Sequence, residues 1–519
     1  MTFADATRAE SQSWSKVAPV TALFTVLTII VIPIMAHMYL PLVDLPNHIA
    51  RFHLAREIPE ALSGYYDYSF KLVPNSAVDL LWLLVGESLD TVRFTQLSIA
   101  FASVGLVAGT MLLSRQLWGV WSAWPAAIGL CAYHASFLWG FQNYLVALPF
   151  VLLSTALWLS SEGKKTWQRL VMFAPIVFAL YVMHFFAFIG FAVIVFGREV
   201  QLVLEARRTW KTQFAHSALL SLPFLACIAL LLASVLGGDP SPAGSMTIWG
   251  HWMFRLEAFG SLVFAPEQFL PRGLRVSATL TLTLLCIFLL YFVRRQGVRL
   301  QMHSQMRGPA IALLALVFLA PIWLNGVAFV HIRFPIILAA VFFAATRWRG
   351  LSPSSSVGLA VIIVALIAVR AVQFNGYAAV HDREVRQFLD VVSEVPEGAR
   401  VLPVRVDENN QYVRLWHVAA YAVNDGNVYV PTLFQGVHGL KVRDEWKEHS
   451  SPSMHAASVD WLEKVEDPDH FLYRYVADWS EKYTHLVMID PDRASLQGFD
   501  ELHEIRRAAR YTLYEIQSP

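Results

Sequence analysis

Charge is scarce in this chain. Lys, Arg, Asp and Glu together make up 15% of 519 residues, they nearly cancel to a net charge of +1, and 56% of the sequence is hydrophobic. So few charges cannot clothe a soluble surface of this size, and a balance near zero offers no basic face to a nucleic acid. Cysteine is scarcer still. Cys131, Cys227 and Cys286 all fall inside apolar runs, which excludes a disulfide framework and a thiolate metal site and leaves them as small apolar packing groups. No phosphate-cradling glycine loop, no HExxH pair, no fixed-period repeat and no low-complexity tract is present. What the chain has instead is long uncharged runs, and these make it an α-helical polytopic membrane protein.

Reading the nearly charge-free runs as spans places helices near 17–40, 94–114, 121–139, 144–160, 170–184, 186–197, 216–236, 276–293, 308–325, 330–346 and 355–374, which is about eleven crossings at bilayer length. The run 170–197 fits one long tilted helix or two short ones. The polar start, up to about Lys16, is followed by an apolar stretch without a small-residue cleavage signature, so the first span is read as retained. Basic residues test the count. Arg115, then Lys164, Lys165 and Arg169, then Arg198, Arg207, Arg208 and Lys211, then Arg294, Arg295, Arg299 and Arg307, and finally Arg347 and Arg349 all fall on one side. The positive-inside rule makes that side cytoplasmic, with the amino terminus, and turns the loop 41–91 and everything past residue 375 outward.

Composition changes sharply at residue 375. The remaining segment, 375–519, has mixed charge and a coarse alternation of elements: a helix over Arg383–Val392 and strands over 401–406, 427–430, 485–490 and 511–516. That is enough for one α/β domain, periplasmic if the topology holds. The spans and the structured loop 41–91 form the other domain, 1–374. In that loop Pro46 suits the first turn of a helix lying on the membrane surface, with Ile49, Phe52 and Leu54 on one flank and His48 and Arg51 on another. A second helix is expected after Pro74, with Ser76 and Asp79 spaced as a capping box.

Asp44 is the most informative residue. It is the first carboxylate after the uncharged run Val17–Val43 and opens the cluster Asp44, Leu45, Pro46, Asn47, His48, at a membrane surface where an isolated charge needs a reason. An ionised carboxylate there can take a proton from a hydroxyl, as a general base does, with Asn47, His48 and Arg51 along the helix to hold it or a substrate. The alternative is an aspartate that merely caps the helix. Arg333 breaks an apolar stretch near its outward end, beside His331, and either snorkels to the interface or binds a lipid phosphate through its guanidinium fork. His184 interrupts another run among aromatics, as a packing residue or a substrate contact. Lys71, Arg255, Arg272 and Arg370 are further candidate cations, and Trp139, Gln142 and Asn143 are candidate sugar contacts. No metal or other cofactor is called for. Asp490-Pro491-Asp492 looks like an acidic nucleotide-sugar motif but reads as a turn after a strand.

A first span, an acidic outer loop with helices, many further spans with a basic residue at a late outer boundary, and an external α/β domain resemble the GT-C superfamily of membrane glycosyltransferases. The resemblance is closest to protein O-mannosyltransferases and lipid A aminoarabinose transferases. Its residue-level support lies in Asp44–Arg51, and the segment from His417 through Phe434 is similar to the tails of bacterial members of this class. Those families usually carry Asp then Glu in the first loop, whereas Leu45 follows Asp44 here. The resemblance implies a polyprenyl-phosphate-linked sugar donor, a lipid, glycan or protein acceptor, inversion at the anomeric carbon, a first-loop aspartate as base, and residence in a bacterial inner membrane. It also requires Asp44 and Arg333 to face one outward chamber. A lipid or solute transporter with an external sensing domain is the competing class, and a scaffold for envelope assembly a third; neither paired halves nor charges deep in the spans speak for transport.

Overall fold

The structure, a computed structural model, describes residues 3–517 except 87, 207–208, 237–245, 264–286, 288–290, 292–293, 295–296, 407–412, 436–438, 452–455, 464–471 and 490–498, with backbone alone at 3–18 and 234–236. The expected span 276–293, Cys286, Arg272 and the Asp490–Asp492 turn thus fall wholly or largely outside the described residues. Two compact units emerge. One comprises residues 1–34, 98–137 and 142–374, and the other 35–97, 138–141 and 375–519.

The first unit is helical because its residues leave no alternative: uncharged backbone in an apolar medium must satisfy its hydrogen bonds locally. Among the described residues six helices are long and apolar enough to cross a membrane: Pro19–Ala36, Thr91–Trp118, Gln142–Ser160, Thr166–Met183, Phe185–Glu205 and Pro353–Val392. The pair Trp210–Leu220 and Leu222–Ala233, bent by 42°, makes a seventh if it is one span. Several expected spans take a different form. Residues 121–139 are not a regular helix but the 3-10 segment Trp124–Cys131 and the short helix Ala135–Leu138, since Pro125 removes a backbone donor. The run 170–197 is two helices. They break at extended His184, whose Nδ1 accepts from the Phe186 amide at 3.1 Å and so caps the second helix. The run 308–325 ends its helix at Leu319 and continues as the hairpin Trp323–Leu324 with Val327–Ala328, turning through Asn325 and Gly326 at positive φ.

Helices in this unit approach closely where side chains vanish. A Cβ on Gly308 would sit 2.2 Å from the Gly197 carbonyl oxygen, so Phe185–Glu205 and Arg307–Leu319 meet backbone to backbone. The basic loops converge at one end of the unit. Arg198 pairs with Glu162 at 2.7 Å, Gln305 reaches the same carboxylate at 3.3 Å, His303 meets the Trp118 ring at 4.8 Å, and Arg299 lies opposite Arg349 in an antiparallel pair of strands.

The second unit is built on a five-stranded mixed sheet. Its order is Leu502–Ala508, Tyr511–Ile516, His485–Ile489, Val401–Arg405 and Ala457–Ser458, antiparallel across the first three and parallel thereafter. His485–Ile489 is buried throughout, as a central strand in a covered sheet must be. Of the four expected strands three form, while 427–430 contributes only the bridge Arg400–Tyr429. The helix Leu45–Arg56 belongs to this core. Nine of its residues from Leu45 to Leu54 are buried on every flank, so it is an interior helix rather than one lying on a membrane with a polar side free. Tyr66–Tyr68 pairs antiparallel with Leu440–Val442, and the Tyr66 hydroxyl both donates to the Val430 carbonyl and accepts from its amide.

Candidate functional site

Asp44 lies at the N-terminus of the helix Leu45–Arg56, with Pro46 in the first turn. Its backbone amide donates to the Trp139 carbonyl at 3.0 Å, and the Val43 amide to the Leu138 carbonyl at 3.0 Å. Two stretches far apart in sequence are therefore laced together at the carboxylate. Gly140 makes the lacing possible: it has φ +77°, and a Cβ there would stand 3.0 Å from the Asp44 nitrogen. The Asp44 side chain makes no capping hydrogen bond to the helix. It stands instead 3.8 Å from His417 Nε2, beyond hydrogen-bond length but within electrostatic range, with its side chain 17% exposed. Three aromatic rings cluster around the Trp139 stretch of this lacing: Trp139 meets Trp416 edge to face at 5.6 Å and stacks with Phe141 at 6.4 Å. A carboxylate at the positive end of a helix, partly open and beside indole faces, can take up a proton and neighbour a sugar ring.

The other residues of the cluster have more settled partners. Arg51 donates from Nε and Nη2 to both oxygens of Asp79, at 2.6 and 3.2 Å, and both side chains are about 1% exposed. Its Nη2 also lies 3.0 Å from His48 Nδ1. Asp79 is thus no capping-box acid: Ser76 precedes the helix Ala77–Val85, but its hydroxyl donates back to the Val73 carbonyl. Asn47 accepts from the Phe434 amide at 3.0 Å, and Phe434 in turn meets both His48 and His417 edge to face. The residue that the motif-by-motif reading missed is His417. No spacing rule links it to Asp44; the only sign was that the 417–434 segment stood out by resemblance.

His184, His331 and Arg333 lie in the first unit, at the end opposite the basic loops. The Arg333 guanidinium stacks over Phe186 at 5.0 Å and donates to the Ala328 carbonyl at 2.7 Å, folded back on the hairpin and only 5% exposed. The Tyr144 hydroxyl donates to the Arg333 carbonyl, and the Tyr144 ring meets His184 at 5.1 Å. His184 and Arg333 therefore share the neighbours Tyr144 and Phe186. Phe329 takes left-handed φ +56° just before the turn that carries His331 and Arg333, a strain of about 1 kcal/mol that the surrounding packing must hold. Arg255 is also buried, and three backbone carbonyls, those of Gly250, His251 and Ala320, receive its guanidinium. Gln142 is spent on Ser98 at 2.6 Å. Among the described residues no three His, Cys, Asp or Glu side chains gather as metal ligands.

Among solved structures the chain is similar to ArnT from Cupriavidus metallidurans bound to undecaprenyl phosphate, with 12% identity, a TM-score of 0.49 and coverage of 95% of this chain and 97% of that one. The apo form of the same protein gives 11% identity and a TM-score of 0.48 at the same coverage. Arabinofuranosyltransferase AftD from Mycobacteria gives 16% identity and a TM-score of 0.43 over 98% of this chain, which spans 40% of that longer protein. No family model and no curated protein matches the sequence.

Proposed function

We propose that the chain is a membrane glycosyltransferase of the GT-C kind that moves a sugar from a polyprenyl-phosphate donor to an envelope acceptor, with inversion and at the outer face of a bacterial inner membrane. One observation carries the reading: the Asp44 carboxylate, at a helix N-terminus, caps nothing and stands beside His417 and an aromatic cluster. A capping aspartate would turn its oxygens onto the amides of the first helical turn.

In the proposed reaction the acceptor hydroxyl oxygen attacks the anomeric carbon from the face opposite the phosphate. The bond from that carbon to the phosphate oxygen breaks with its electron pair going to the phosphate, and the acceptor proton passes to Asp44. The products are the glycosylated acceptor and polyprenyl phosphate. Arg333 is proposed to neutralise the charge that builds on the departing phosphate; a guanidinium keeps its proton at any working pH and so supplies fixed positive charge. About eleven crossings, an external C-terminal domain and a cytoplasmic amino terminus complete the proposal.

The test is transfer by the purified full chain in lipid nanodiscs, with donor binding measured separately. Asp44→Asn should slow transfer by roughly a hundredfold or more and leave donor retention intact; turnover near the parent rate would remove Asp44 from the role of base. Arg333→Lys keeps the charge and loses the fork, so donor affinity should fall roughly tenfold. Unchanged affinity would contradict the phosphate role.

A further inference from the structure

The basic end of the first unit holds a cavity of about 220 Å³ lined by Trp118, Trp124, Trp348, Arg347 and the hydroxyl residues Ser114, Ser122 and Ser356. Indoles crowd together there: Trp124 and Trp348 meet edge to face at 5.2 Å, and the Arg347 guanidinium lies 4.2 Å over the Trp118 ring. Their polar atoms are unevenly served. Trp124 donates to the Thr346 hydroxyl at 2.9 Å, whereas Trp118 Nε1, Trp348 Nε1 and Arg347 Nε are buried without an acceptor among the described residues. These three N–H donors stand on the cavity lining itself, while the nearby unpartnered acceptor, Gln301 Oε1, belongs to the strand across from Arg347 and does not line the cavity. Each such donor is costly to bury unless something accepts from it.

The surroundings have the same sign. Arg347 lies across from Gln301, and Arg349 from Arg299, in the antiparallel pair that edges the cavity. A broader basin beside it is lined by Arg299, Arg307 and Arg349, with no acidic residue. None of these four arginines forms an ion pair with a carboxylate among the described residues. By contrast Arg198, at the same end, is neutralised by Glu162. Clustered positive charge without counter-ions, buried N–H donors and indoles at the end of apolar helices together call for an anion that arrives attached to a hydrocarbon.

We propose that this cavity is a binding site for the phosphate headgroup of an anionic glycerophospholipid, held by the Trp118, Trp348 and Arg347 N–H groups with the Arg299–Arg349 strand pair as its positive rim. The serine hydroxyls suit the polar head, and the indole faces the first carbons of the chains. The site lies at the far end of the first unit from Arg333, and it stands whether or not Asp44 catalyses transfer.

Purified full-length protein in neutral detergent should retain short-chain phosphatidylglycerol in native mass spectra, and be raised in melting temperature by it, well beyond the effect of phosphatidylcholine of the same chain length. Trp118→Phe keeps the ring and deletes the N–H, and should weaken phosphatidylglycerol retention roughly tenfold, as should Arg347→Gln. Trp348→Phe serves as the independent variant if either of these fails to fold. Equal retention of the two lipids by the unaltered protein, or unchanged retention in folded variants, would overturn the proposal. Inorganic phosphate protecting the protein as well as the lipid does would assign the cavity to a free anion and overturn the lipid reading.

Discussion

Two aspartates of the second unit, Asp44 and Asp79, stand at the starts of helices and live in opposite circumstances. Asp79 is sealed. It faces a bidentate arginine at 2.6 Å with about 1% of its side chain exposed, and burying a charge so completely demands such a partner. Asp44 makes no capping hydrogen bond to its helix, His417 Nε2 stands 3.8 Å from its carboxylate, and its side chain is partly open. The contrast separates structure from chemistry. A carboxylate with both oxygens committed to a buried guanidinium is poorly placed to take a substrate proton, so under the proposed function Asp44 and not Asp79 is the candidate base.

Breaking the sealed pair should have the largest effect. Arg51→Met leaves Asp79 buried without its cation and should lower stability by about 3–5 kcal/mol; thermal unfolding of the detergent-solubilised protein reads this, and a melting temperature within a degree of the parent would sink it. Asp44→Asn should do the reverse, slowing transfer by roughly a hundred- to ten-thousandfold while leaving the melting curve in place. A smaller loss is expected from His417→Gln. Removing the ring should cost roughly tenfold in rate with the melting curve unmoved; an unchanged rate would reduce His417 to packing. The mildest expectation concerns acid. Burial holds the His449 and His485 rings below the ordinary histidine value of 6.5, with Lys482 and Arg400 adding to the effect at His449. The unfolded chain then binds more protons than the folded one, so their stabilising contribution is full above pH 6.5 and declines as pH falls through the lowered values. Asp425, whose carboxyl burial raises, works in the opposite sense above its ordinary 3.8 and should flatten the decline at lower pH. Melting temperatures across this range should fall with acid in the parent and fall less in a His449→Gln, His485→Gln double variant.

Much of this was legible from residues alone, and for identifiable reasons. Uncharged runs mark apolar helices because backbone in hydrocarbon has few options, so the expected spans 94–114 and 144–160 fall within a few residues of the helices Thr91–Trp118 and Gln142–Ser160, whereas 355–374 runs on without a break into the separately expected helix 383–392 as Pro353–Val392. The paired basic loops also read correctly as sharing one end, since Arg299 and Arg349 face each other across two strands. Strands with alternating or wholly buried patterns, 401–405, 485–489 and 511–516, announced themselves by β-branched and aromatic content. Where sequence failed, a distant partner decided the outcome. The helix Leu45–Arg56 looked amphipathic because His48 and Arg51 are polar, yet Asp79 satisfies that polarity inside a core. Residues 121–139 looked like a span because they are apolar; Pro125 and full burial made them an irregular interior segment. His417 was invisible to any local rule, lying hundreds of residues from the acid it neighbours.

Gly140 carries a consequence for anyone mapping this protein by substitution. Alanine there would press a methyl against the amide of Asp44 and force a left-handed backbone on a residue that resists it. A position with no side chain at all would then score in a saturation screen like a member of the reacting machinery, because the carboxylate's aim is set by the absence of an atom.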